Sequence, residues 1–179
     1  MLRRPRTLVI GAAALVGVGA LAYTMLPHSS PPHAVGTPAR IGGFSQEPSL
    51  VASAGASALR SHIVASSAGE ATHVVDAVYE DAAGTSANPQ IVVFVGGHLA
   101  GSAGSFIASL TQALPGAFAV NAGSMPGQAV CAPGRGGRPA ECAWADNDTF
   151  GVLLSPSLSA TALGGELRAM RPQLEHVVR

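Results

Sequence analysis

Residues 131–155, CAPGRGGRPAECAWADNDTFGVLLS, hold both cysteines of the chain, its only tryptophan, a Gly/Arg/Pro turn and a run with strand character. Two cysteines allow one intramolecular pairing. The ten residues between Cys131 and Cys142 include Gly and Pro, which fits a hairpin closed by a structural bridge. A redox pair would instead want C-x-x-C spacing. Trp144 stands two residues past Cys142, so in a strand both side chains leave the same face. The indole is therefore expected to pack over the bridge. At the tip, GRGGR presents Arg135 and Arg138 on a short neck. An ordinary solvated hairpin accounts for them, and contact with an acidic partner or lipid head groups is the sharper reading. Asp146-Asn147-Asp148 with Gly151 resembles the first half of a calcium loop, but Phe150 and Ser157 occupy its fifth and twelfth positions. The triplet reads as a turn, with Asp146 and Asp148 kept as candidate contact residues.

Whether the cysteines are bridged depends on compartment, and the N-terminus bears on that. Three arginines in MLRRPR precede Thr7 to Leu26, twenty residues without a charge. As a helix that run is about 30 Å long, enough to span a bilayer. Basic residues before it and none close behind predict a cytoplasmic N-terminus and an extracytoplasmic remainder. Cleavage as a signal peptide is the alternative, with secretion as its consequence, although such apolar regions are usually shorter. Outside the cytoplasm disulfides persist.

Composition narrows the classes further. The 179 residues carry a formal net charge of zero, 47% hydrophobic residues and a mean hydropathy of +0.34. Balanced charge leaves no basic stripe for phosphates, so nucleic acid is not an expected partner. Only 4% of residues are aromatic, which predicts a core built from small side chains. Residues 27–49, with five prolines and no periodicity, read as an extended linker. His28 and His33 within it are expected to be solvated. That leaves residues 50–179 as one modest domain.

Within this domain, residues 50–70 have loosely helical spacing. The stretch 73–81, HVVDAVYED, alternates as a half-buried strand does, and IVVFV at 91–95 is the continuous apolar run of a strand covered on both faces. Gly96-Gly97 is expected to end that strand. Leu99, Ala103, Phe106, Ile107, Leu110 and Leu114 form a helical stripe stopped by Pro115-Gly116. Short strands are expected at 118–122, 127–131, 141–144 and 149–154. A last helix sets Leu163, Leu167, Met170, Leu174 and Val177 on one face, with Ser157 or Ser159 as its cap. Val93-Phe94-Val95 and its following helix echo Val152-Leu153-Leu154 at an offset of 59 residues. The expected class is α+β: a small antiparallel sheet with helices on one face, and two β-β-α units as the finer arrangement.

No catalytic constellation stands out. Gly97, Gly101 and Gly104 follow a strand and open a helix but lack G-x-G-x-x-G spacing, so close packing is the better account. There is no G-x-S-x-G elbow for Ser102, and nothing in the sequence brings His73, His98 and Asp76 to it. No metal, cofactor or catalytic residue is therefore expected.

From Cys142 the pattern CAWADNDTFG, an apolar strand, a Ser-Pro turn and a helix containing ELRAMR resemble a group of uncharacterised actinobacterial single-pass membrane proteins. The resemblance covers about forty residues. It implies a small extracytoplasmic domain behind one transmembrane helix and carries no activity. The expected function is binding or interaction, as a sensor or envelope-complex subunit. The competing class is an envelope hydrolase with an unrecognised site.

Overall fold

The computed structural model describes residues 32–81 and 89–178. The expected membrane segment and residues 27–31 of the linker lie outside the described residues. Among the described residues, no helix is long and apolar enough to cross a membrane.

The described residues form an α+β unit with ten strands and three helices. In chain order these are β1 (His33–Val35), β2 (Arg40–Ile41), β3 (Phe44–Gln46), α1 (Ala56–Ser66), β4 (Ala71–Asp81) and β5 (Ile91–Leu99). There follow α2 (Ala103–Ala113), β6 (Phe118–Val120), β7 (Gln128–Ala132), β8 (Ala140–Ala145), β9 (Thr149–Ser155), α3 (Ala160–Leu174) and β10 (Glu175–Val177). Eight strands make one antiparallel sheet in the order β2-β3-β4-β5-β9-β8-β7-β6, and β1 pairs with β10 in a separate ribbon. Two four-stranded meanders are thus joined at their centre by β5 and β9. The segment read as linker supplies β1, β2 and β3. Ile41 and Phe44 are buried against the main core, which is why this Pro-rich stretch is ordered rather than extended.

Helices cover both faces of the sheet, not one as the sequence suggested. The apolar stripe of α3 (Leu163, Leu167, Met170, Leu174) packs with Phe94, Cys131, Cys142, Trp144 and Leu153 on one side. On the other, Leu59 and Ile63 of α1 and Ile107 of α2 meet Val95, Phe150 and Val152. The central strands dictate this. Val92 to Val95 are all buried, so each face needs a cover. Phe94 pairs with Leu153, its counterpart in the sequence echo, and strand-strand-helix occurs twice. Antiparallel neighbours are related by an axis normal to the sheet, which would leave both following helices on one face. Since α2 and α3 lie on opposite faces, the two units are not symmetric copies.

Ser102 and Ser159 cap α2 and α3, accepting from the amides of Ser105 and Ala162. The last helix stops at Leu174, two residues past Pro172, and Val177 moves to β10 instead of continuing the stripe. Strand β5 runs through Gly96-Gly97 to Leu99. A side chain at Gly97 would sit 2.8 Å from the Thr72 carbonyl, so the glycine admits the bulge that carries His73.

Cys131 and Cys142 are bonded across directly paired positions of β7 and β8, with Cα atoms 4.0 Å apart. Gly164 of α3 rests on this bridge; a Cβ there would be 3.3 Å from the Cys131 Sγ. The glycine that weakens the helix locally thus allows its close approach. Replacing both cysteines by serine should cost about 2–3 kcal/mol by the loop-entropy argument. Urea midpoints of the variant and of reduced protein would check it.

Tyr79 is buried, and its hydroxyl donates to the Pro38 carbonyl at 3.1 Å. Burial pushes its phenol well above the ordinary range. The unfolded chain loses this proton above about pH 10 while the folded chain keeps it, so stability falls as pH rises past that point. Tyr79→Phe should flatten this alkaline slope, which urea midpoints measured on either side of about pH 10 would register.

Candidate functional site

At one end of the sheet, β1 lies against β5 and β9 and the tight β8–β9 turn closes beneath it. Asp146 builds that turn. Its Oδ1 accepts from the amides of Asp148 (3.1 Å) and Thr149 (2.8 Å) and from the Thr149 hydroxyl (3.0 Å). Its Oδ2 accepts from Arg171 Nη2 at 3.0 Å. Arg171 is fully buried on α3 and donates from Nε to Glu175 Oε2 at 2.8 Å. It also reaches the carbonyls of Ala122 (3.3 Å) and Pro126 (2.7 Å). Trp144 Nε1 donates to the same Glu175 oxygen at 3.0 Å, and the guanidinium lies 5.8 Å from the indole centroid. Every buried side-chain polar atom among the described residues has a partner.

His33 is packed into this centre rather than solvated. Its amide donates to Asp148 Oδ2 at 2.7 Å, and its Nδ1 lies 3.3 Å from Asp148 Oδ1, 3.7 Å from Glu175 Oε1 and 4.0 Å from Asp146 Oδ2. Burial pushes the Asp146 carboxyl up, but hydrogen bonds from Glu175, the two turn amides and the Thr149 hydroxyl outweigh it and hold the group at about 2. For Glu175, burial and the bond to Asp146 raise the carboxyl against the lowering effect of Arg171.

Of the residues singled out in the sequence, Asp146 and Asp148 come together here. Arg135 and Arg138 do not; they sit on the exposed hairpin tip at the opposite end of β8 and β9. There Arg138, Pro139 and Leu154 border two adjoining hollows of about 420 and 470 Å³. Leu50, Ala54, Ile91 and Val93 line the first, while Leu114, Pro115, Arg135 and Glu141 line the second. Burial pushes the Glu141 carboxyl up, and the Arg138 charge draws it back down. Trp144 shares a face with the disulfide as expected. Its ring, however, turns the other way, over Gly151 and parallel to Phe94 at 6.0 Å.

Sequence reasoning missed His33, Arg171 and Glu175. Arg171 stands four residues after Leu167 and four before Glu175, on the core-facing stripe itself, and that placement was the available signal. No family model, curated protein or solved structure matches the chain.

Proposed function

We propose that the chain is an extracytoplasmic binding protein, held to the cell membrane by Thr7 to Leu26 with its N-terminus in the cytoplasm, whose folded unit docks an acidic partner as a sensor or envelope-complex subunit. The observation that supports this best is the pair of hollows astride Arg138, which combine an apolar floor (Val93, Leu154) with two exposed guanidinium groups. Apolar floor and basic rim together suit a partner that is acidic at its edge and apolar at its centre. A photo-crosslinking residue placed at Ser53 in native cells should give a defined adduct, and one at Ser66 should not. Arg135→Glu combined with Arg138→Glu should abolish the Ser53 adduct. Adducts equal at both positions, or indifferent to the charge reversal, would overturn the reading.

An envelope hydrolase is the second reading, supported by the His33–Asp148 contact beside a hollow of about 300 Å³ lined by His73 and His98. Against it, the Thr149 hydroxyl in this region donates to Asp146. Ester or amide turnover abolished by His33→Ala would favour the hydrolase over the binding protein.

A further inference from the structure

We propose that His33, Asp146 and Glu175 form a binding site for one divalent cation of the zinc class. Their ligand atoms lie within 4.8 Å of one another. From His33 Nδ1 to the facing oxygens of Glu175 and Asp146 the distances are 3.7 and 4.0 Å. Bonds of about 2.0–2.2 Å at tetrahedral angles put ligand atoms roughly 3.3–3.6 Å apart, so these two distances need contract by only a few tenths of an ångström. Asp148 Oδ1, 3.3 Å from the same nitrogen, stands beside the site as a third oxygen and fourth donor atom.

The arrangement around these atoms resembles an outer coordination shell. Glu175 Oε2 is taken by Trp144 Nε1 and Arg171 Nε, while Oε1 faces His33 with only a long 3.5 Å contact from Arg171 Nη2. Asp146 Oδ1 is saturated by three donors of its own turn, while Oδ2 faces His33 and shares one contact with Arg171. In each carboxylate, protein donors fix one oxygen and aim the other inward, as metal-binding carboxylates are held. Charge points the same way. Three carboxylates, two of them buried, face a single arginine, a surplus of acidic groups that a divalent cation would offset. His33 also lines a hollow with His73 and His98, which brings solvent up to the imidazole side of the site. The ligands come from β1, the β8–β9 turn and β10, so the cation would lock the small ribbon onto the main sheet.

Full-length protein stripped with chelator and dialysed would be titrated with Co2+ and followed by visible absorbance. One equivalent should bind per chain with the intense bands of tetrahedral cobalt, and Zn2+ should displace it and raise the melting temperature. His33→Ala should weaken binding at least tenfold, whereas His62→Ala, on the exposed face of α1, should not change it. Should His33→Ala fail to fold, the wild type still decides: Zn2+ must shift the His33 Nδ1 resonance in a ring-nitrogen NMR spectrum. No stoichiometric uptake, equal losses in the two variants, or an unmoved His33 resonance would each overturn the proposal.

Discussion

Arg171→Leu should destabilise the folded unit by about 3–5 kcal/mol, a large share of the roughly 5–15 kcal/mol that holds a domain together. The leucine itself is well suited to the stripe between Leu167 and Leu174. The cost comes from what it abandons: Asp146 and Glu175, both buried, lose their compensating charge, and the Ala122 and Pro126 carbonyls lose a donor. Arg171→Lys should recover little, because an ammonium cannot reproduce a planar fork that meets four acceptors. A triple variant, Arg171→Leu with Asp146→Asn and Glu175→Gln, should regain part of the loss by removing the stranded charges. Urea midpoints would measure all three. An Arg171→Leu midpoint within error of wild type would show that the centre is not held by charge pairing.

The second large effect is expected at Trp144. Its indole is fully buried and lies directly on Gly151 of the neighbouring strand, where a Cβ would fall 2.1 Å from the ring. Trp144→Ala empties this space and strips Glu175 of a donor, for a loss of about 3–5 kcal/mol. Gly151→Ala attacks the same contact from the other side and should cost about 1–3 kcal/mol through overpacking. The two changes share one volume, so their effects should not add. With Trp144→Phe, which withdraws the outer ring atoms, Gly151→Ala should become nearly neutral, and a double-mutant cycle would show a coupling above about 1 kcal/mol. Additive losses would mean that the indole has another resting place.

The strands and helices were largely legible in the sequence because local patterns set them. IVVFV at 91–95 read as a central two-sided strand, and β5 is one. The same run also carried the correction to the layer arrangement, since a strand apolar on both sides calls for helices on both faces. The ribbon was not legible. His33 and Glu175 are 142 positions apart, and a three-residue strand bordered by prolines has too little pattern to announce a partner at that distance. The polar centre was hidden for the same reason. A buried arginine is stable only through acceptors supplied from elsewhere in the chain, here Asp146 from a turn 25 residues away, and no local rule reports such a meeting.

The ribbon also decides how the fold answers to mechanical load. His33 is paired with Val177, so the chain enters and leaves the unit at the same end of two antiparallel strands. Tension applied N-terminal to Pro32 against a fixed C-terminus therefore unzips β1 from β10, loading one rung at a time, where a shear geometry would load them all at once. The first rung carries His33, whose ring and amide both sit on Asp148. Pulling there thus opens the His33 cluster before it strains the eight-stranded sheet.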